Sequence, residues 1–323
     1  MHREMGQQHM VEGWGIELRG NKRLEAIDAA INWVPVAKLV SAIHGARRGR
    51  KSYPPLLMLK ALLLAQWYQL SDPELEEALS DRLSFRRFVG LGLEEGTPDE
   101  TTLLRFRHAL GRNNRDRRVF EEINRQLDGH GLVLRQGTLL DATLVKAQPK
   151  PPAPGIPGTP AAKPVDPDAN FSRQGGPWHY GYKAHLAVDQ GSWLVREAKL
   201  TPAKVFESEV ADELIQGDEQ AVYADKAYEH KARRKRLKAQ GIKDRIMHRS
   251  HKNQRALPHW QQRRNALIRP IRRKVERVFG TLKRSYGYTR MRYCGLARNT
   301  TQLLLLCVAL NLRRMLVLTA SRA

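Results

Sequence analysis

The chain has 323 residues, 41% of them hydrophobic, and its 56 Lys and Arg residues outnumber its 33 Asp and Glu residues to give a net charge of +23. This apolar content excludes a disordered chain and is enough for a core in each of two domains. So large a positive charge repels itself unless a polyanion neutralises it, and nucleic acid is the simplest such partner. A membrane surface is the competing partner, but the longest apolar run, Leu303 to Leu310, is too short to span a bilayer.

The compartment is predicted from the two cysteines and the N-terminus. Cys294 and Cys307 have neither metal-ligand spacing nor a disulfide framework, so we expect a reducing cytoplasm. The first residues, MHREMGQQH, lack the apolar core of a signal peptide.

Helical signals dominate residues 1–135. Ser71 and Glu74 form an S-x-x-E capping box, and Thr97 with Glu100 predicts the start of a later helix. We therefore expect an all-α N-terminal domain.

This later helix carries Arg105 and Arg107 on the side opposite its apolar residues. Two capped helices joined by a turn could be a helix-turn-helix that reads DNA. Helix pairs are also common as packing or dimerisation units in helical domains. Both a DNA-reading role and a packing or dimerisation role therefore stay open.

Strand signals begin after residue 135 and surround a proline-rich segment at 148–168, which we interpret as an extended insertion within one domain. Alternation and β-branched residues predict a mixed five-stranded sheet, with strands at 138–145, 180–188, 193–200, 221–224 and 242–247. The predicted helices of this half of the chain are 205–215, 229–240, 261–284 and 299–318.

Three carboxylates occupy informative places in this pattern. Asp141 and Asp225 lie within or at the end of strands that otherwise appear buried, where a carboxylate is costly unless it is paired or binds a cation. The third, Glu276, is the single acid after Asp244, in 79 residues that contain 19 Lys and Arg residues. A buried ion pair with an arginine is the alternative explanation for each Asp.

Glu276 shares one stripe of the predicted helix 261–284 with Arg269, Arg272 and Lys283. An ordinary i,i+4 pair between Arg272 and Glu276 explains the pair itself, but not the absence of other acids around it. Three converging carboxylates can hold two Mg²⁺ ions, for which Mn²⁺ can substitute, and transfer of a phosphodiester requires such a pair of cations. The cations beside Glu276 would then hold DNA phosphates.

The chain resembles the DDE transposases of bacterial insertion sequences, and most of all the insertion sequence 5 family. The resemblance covers almost the whole chain through the segments PDETTLLRFRHAL, LLDATLVKA, GGPWHYGYKAHLAVD, VYADKAY and RRKVERVFGTLKRSYGYTRMRYCGLARN. It implies a ribonuclease H-like catalytic domain with Asp141, Asp225 and Glu276 as its catalytic, metal-binding acids. The related Y-x2-R-x3-E-x6-K signature matches at Arg272, Glu276 and Lys283, while Arg269 stands at the tyrosine position.

The resemblance also implies an activity. The protein would bind terminal inverted repeats, cleave DNA to free 3′-hydroxyls and join them to target DNA, as a dimer or higher oligomer on the bacterial nucleoid. Two alternatives remain: a catalytically silent DNA-binding relic, and a metal-dependent nuclease without strand transfer. The expected organisation is a helical domain at 1–135, a catalytic domain at 136–296 and a C-terminal helix at 297–323 that packs on the core.

The candidate DNA contacts are basic residues spread over both domains and one aromatic residue, Trp260, which could stack on a flipped base or simply be packed in the protein. The basic set comprises Arg105, Arg107, Lys183, Lys226, Arg269, Arg272, Arg273, Lys283, Arg284, Arg290 and Arg292. Tyr286, Tyr288 and Tyr293 alternate with some of these cations and could add base stacking.

Overall fold

The computed structural model describes residues 20–43, 52–152, 163–173, 176–250 and 256–322. The chain forms two compact units, residues 1–130 together with 304–323, and residues 131–303. The nine N-terminal residues and residues 153–162 of the proline-rich segment lie outside the described residues.

The first unit is helical, as its sequence predicts. Its helices are α1 (Lys22–Ala30), α2 (Trp33–Val40), α3 (Pro55–Tyr68), α4 (Asp72–Asp81), α5 (Leu83–Val89), α6 (Glu100–Gly111) and α7 (Arg115–Gly129). Almost every residue of α3 is buried, which is the expected position for a helix that is apolar on all sides. The predicted helix pair α4 and α6 is not consecutive, because α5 lies between them in the chain.

Helix caps show one prediction confirmed and one corrected. Ser71 and Glu74 form the predicted capping box of α4. Helix α6, however, is capped by Asp99, whose side chain accepts hydrogen bonds from the Thr102 amide at 2.6 Å and the Thr101 hydroxyl at 2.7 Å. Thr97 precedes the helix, so the aspartate two residues later takes the capping position instead.

The second unit contains a mixed sheet of six strands, one more than predicted. They are β1 (Thr138–Lys146), β2 (Asn170–Arg173), β3 (Trp178–Asp189), β4 (Val195–Pro202), β5 (Ala221–Ala224) and β6 (Lys243–Ile246). β3 pairs with β1 along one edge, and with β2 and then β4 along the other. The unpredicted β2 is too short, with one large apolar residue in four, to show an alternating pattern in the sequence.

β5 and β6 complete the sheet in parallel order on the other side of β1, so that β6 is an edge strand. Helices α8 (Glu207–Leu214) and α9 (Lys231–Ala239) follow β4 and β5. Val210 and Leu214 of α8 and Leu237 of α9 pack with Leu140 and Ile246 in one buried cluster. This apolar layer fixes the central strands that carry the two candidate aspartates.

The single helix predicted at 261–284 is divided in the structure. α10 (His259–Arg272) is followed by a 3-10 turn at Arg273–Val275 and then by α11 (Glu276–Ser285). Pro270 lies inside α10, where it lacks the N–H that an α-helix needs and its ring crowds the preceding turn. Glu276 thus lies at the start of a new helix.

The last helix, α12 (Leu296–Ala320), begins in the second unit, and from Leu304 onward it belongs to the first. In the first unit the Trp67 indole donates to the Ala309 carbonyl at 2.8 Å. Among the described helices, α12 alone is long and apolar enough to cross a membrane, but 61% of that apolar stretch is buried in the protein.

Candidate active site

The two strand aspartates occupy matching positions on neighbouring parallel strands. β1 and β5 pair at Thr138 with Val222 and at Leu139 with Tyr223. Asp141 and Asp225 each lie three residues beyond Thr138 and Val222, so the same register brings them side by side where the pairing has ended. The Asp225 side chain also accepts a hydrogen bond from the Lys226 amide at 2.7 Å.

Arg272 connects the aspartate on β1 to Glu276. Its Nη2 donates to Asp141 Oδ2 at 2.8 Å, and its Nη1 lies 3.5 Å from Glu276 Oε1. Both ion pairs considered from the sequence are therefore present, and they share one guanidinium. The pair with Asp141 is largely buried, whereas 60% of the Glu276 side chain is exposed.

The charges at this site are not balanced. Burial raises the pKa of Asp141 above its ordinary value, the Arg272 guanidinium opposes that rise, and the negative charge of Asp225 adds to it. Burial also raises the pKa of Tyr228, and the nearby acids Asp141 and Asp225 raise it further. With Glu276, the site places three carboxylates around one arginine, and these carboxylates would attract a cation when they are ionised.

A fourth carboxylate, Glu207, lies near this cluster and was missed by the sequence reasoning. Its side chain is 13% exposed and its Oε1 lies 3.8 Å from Lys183 Nζ. Burial raises the pKa of Glu207, Lys183 lowers it, and Asp141 and Asp225 raise it. An acid in the first turn of a helix is ordinary, so nothing in the sequence distinguishes Glu207 from a simple helix-end residue.

The donor atoms of this site suit a hard divalent cation, but in the structure they lie too far apart to bind one together. Carboxylate oxygens are the ligands that Mg²⁺ prefers, and the buried Tyr228 hydroxyl has no hydrogen-bond partner among the described residues. Among all the residues that the structure describes, no three Asp, Glu, His or Cys side chains lie close enough together to hold a metal ion. The positive charge between Asp141 and Glu276 is supplied by Arg272 instead.

Comparison with known families places this geometry in context. A family model described as "Transposase DDE domain" matches residues 132–312, more than half of the chain. The chain belongs to the DDE transposase family. A second model, "Transposase domain (DUF772)", matches residues 16–109 of this DDE transposase.

A solved structure with some similarity is the "Cryo-EM structure of piggyBac transposase synaptic complex with hairpin DNA". The alignment covers 99% of this chain and 78% of that chain, at 10% sequence identity and a TM-score of 0.44. A similarity of this size is too low to define a shared fold.

Most of the predicted DNA contacts of the DDE transposase are accessible. Trp260 is 59% exposed and meets the His248 ring edge-on at 5.2 Å between ring centres. Arg292 and Lys283 are half-buried, and Arg272 is held in the cluster described above. The exposed cations are Arg105, Lys226, Arg269, Arg273, Arg284 and Arg290, the last of which also donates to the carbonyls of Ala147 and Gln148.

Two of the predicted basic contacts are buried instead. Arg107 is 3% exposed and forms a two-armed ion pair with Asp72, so it acts as a structural link between α4 and α6. Lys183 is 8% exposed and donates to the Val205 carbonyl at 2.9 Å, next to Glu207. Neither side chain offers much of its charge to a DNA backbone.

The tyrosine strip predicted from the sequence is also largely wrong. Tyr286 and Tyr288 are 4% and 1% exposed, so neither ring presents a face on which a base could stack. Alternation with cations suggested a surface, but the apolar rings of both tyrosines pack into the core.

Proposed function

We propose that this DDE transposase binds the terminal inverted repeats of its element, cleaves DNA to free 3′-hydroxyl ends and joins those ends to target DNA. The catalytic domain would be ribonuclease H-like and the chain a member of the insertion sequence 5 group. The observation that carries the proposal is the matched position of Asp141 and Asp225 on adjacent parallel strands, together with the link through Arg272 to Glu276.

Asp141, Asp225 and Glu276 would hold two Mg²⁺ ions, or Mn²⁺ in their place. When bound, these cations supply activation of the attacking oxygen and stabilisation of the leaving oxygen in phosphodiester transfer. Arg272 would leave Asp141 and bind a phosphate flanking the reacting bond, for which its planar fork of donors is suited. Its neighbours Arg269 and Arg273, both exposed, would hold adjacent phosphates.

Two alternatives share the same site. A nuclease without strand transfer would use the three carboxylates in the same way but yield no joined product. A DNA-binding relic would need the basic surface alone. The presence of all three acids, two on adjacent strands and the third linked to Asp141 through Arg272, favours an active enzyme over a relic. We further propose that the protein assembles as a dimer or higher oligomer on DNA and works on the nucleoid in the cytoplasm.

The test of the carboxylate roles is Asp225→Asn, with Asp218→Asn as the matched control. Asp218 is an aspartate of the same unit whose ion pairs, with Arg135 and Arg196, involve none of the three acids. We expect Asp225→Asn to lose cleavage of DNA ends while it binds them with unchanged affinity, and Asp218→Asn to keep both. Loss of binding in parallel with cleavage for Asp225→Asn would assign the acid a structural role and count against the proposal.

A further inference from the structure

A second basic surface lies at the sheet edge, apart from the carboxylates. It is a groove of about 620 Å³ formed by α9, the edge strand β6 and the middle of α10. Six cations line it: Arg234, Lys235, Lys238, Lys243, Arg245 and Arg264. Three of the six, Arg234, Lys235 and Lys238, lie in the basic run Lys231 to Lys238, which the sequence suggests as a DNA-facing helix, with an ordinary solvated face as the alternative. The other three were not among the predicted DNA contacts.

Ion pairing divides these cations into two groups. Arg234 and Arg264 both pair with Asp244, the one acid that lines the groove. The remaining four, Lys235, Lys238, Lys243 and Arg245, are exposed, and no acid in the described part of the chain lies within ion-pair distance of them. Four uncompensated positive charges therefore face one concave surface.

The two paired arginines make the floor of the groove rigid. Arg234 donates to the carbonyls of Ile246 and Met247 at 3.1 and 3.3 Å, and Arg264 donates to the Asp244 carbonyl. Burial lowers the pKa of Arg264, and the charge of Asp244 opposes that effect. Two arginines fixed by hydrogen bonds, with four exposed cations beside them, suit the repeating charges of a phosphate backbone.

A charged edge strand has a simpler explanation, since lysines on an edge discourage pairing with other strands. That role needs only the residues of the strand itself, here Lys243 and Arg245. It does not explain why two further lysines from α9 and an arginine from α10 converge on the same groove.

We propose that this groove binds the phosphate backbone of duplex DNA at a distance from the reacting bond. The inference rests on the proposed function, because α10 connects the groove to the candidate active site. Arg264 and Arg272 lie eight residues apart on α10, or about 12 Å along a helix. One DNA strand carries a phosphate about every 3.4 Å of axis, so the groove would hold DNA about three to four nucleotides from the carboxylates.

The test compares two double variants that remove the same charge. Lys243→Ala/Arg245→Ala removes the two positive charges that β6 contributes to the groove. Lys22→Ala/Arg23→Ala removes two exposed cations of α1 in the other unit. The probe is a fluorescein-labelled 30-base-pair duplex of arbitrary sequence in EDTA, and fluorescence anisotropy is recorded over a series of NaCl concentrations. The thermal midpoint of each variant checks that the fold is intact.

Each lost phosphate contact lowers the salt slope of binding by about 0.9. We therefore expect the groove variant to bind several-fold more weakly with a slope shallower by about two, and the α1 variant to match the wild type. Equal slopes for all three proteins, with cleavage of DNA ends intact, would overturn the groove proposal alone. A wild-type protein that fails to bind the duplex would overturn the proposed function and the groove with it.

Discussion

Arg272 is the residue on which the charge of the candidate site depends. Its guanidinium bonds Asp141 and neighbours Glu276, and its removal leaves Asp141 buried beside Asp225 without a positive partner. We expect Arg272→Ala to lower the free energy of unfolding by about 1–3 kcal/mol in EDTA, because one member of a largely buried pair is then unsatisfied.

Arg273→Ala is the matched control for this change. Arg273 is the next residue, is exposed, and should alter the free energy of unfolding by no more than about 0.5 kcal/mol. Urea denaturation of both variants measures the difference. Equal values would mean that the Arg272–Asp141 contact contributes nothing to stability.

The buried Glu207 carboxyl should make the stability of the fold depend on pH. Burial raises its pKa above the ordinary 4.5, so the folded protein holds this proton more tightly than the unfolded chain. The ionised side chain therefore destabilises the fold, and the destabilisation grows as the pH rises above 4.5. Glu207→Gln cannot ionise, so its thermal midpoint minus that of the wild type should increase from pH 4.5 to pH 7 in EDTA.

Glu209→Gln, an exposed residue of the same helix, serves as the control for Glu207→Gln. The thermal midpoint of Glu209→Gln minus that of the wild type should not change from pH 4.5 to pH 7. A flat difference for Glu207→Gln as well would show that the buried carboxylate does not couple to folding.

At the scale of elements, the α6 cap is the most direct test of a corrected expectation. The Asp99 side chain accepts from two donors of the first turn, while Thr97 lies outside the helix. We expect Asp99→Ala to cost about 1 kcal/mol of stability and Thr97→Ala to cost less. A larger loss for Thr97→Ala in chemical denaturation would restore the cap predicted from the sequence.

Elements with a strong local pattern were predictable. The strand at Ala221–Ala224 and the Ser71 capping box were located from the sequence alone, because a short apolar run and capping chemistry are local signals. Pro270 is a signal that the long helix could be interrupted. The interruption was not predicted, because the apolar stripe continues through this part of the sequence.

Features that depend on tertiary contacts were not accessible in this way. The burial of Arg107 depends on Asp72, which is 35 residues away, and the proximity of Glu207 to Asp141 depends on how α8 packs against the sheet. The three carboxylates stood out from the sequence because an acid in an apolar strand, or alone in a basic region, has an unusual local setting. Glu207 has an ordinary one and was therefore missed.

For the whole molecule, the net charge of +23 favours binding to DNA, and the proposed reaction at two paired DNA ends predicts assembly of several protomers on it. We expect mass photometry to show one predominant mass for the protein alone and a complex with two or more protomers when duplexes carrying the element ends are added. Raising the salt concentration should dissociate this complex, because binding to phosphates releases counterions and is therefore weaker at high salt. A single protomer per duplex at every protein concentration would argue against paired ends.

An in vitro reaction of labelled element ends with a supercoiled plasmid, in Mg²⁺ or in EDTA, tests whether Asp141, Asp225 and Glu276 form a catalytic site. It compares the wild-type chain with Glu276→Gln, which changes an exposed side chain and leaves the buried Arg272–Asp141 pair in place. We predict joined products in Mg²⁺ alone, and none with Glu276→Gln although that variant still binds the ends. Nicked ends without joining would indicate a nuclease, and binding without either product, in Mg²⁺ as in EDTA, would contradict the assignment of a catalytic site to Asp141, Asp225 and Glu276.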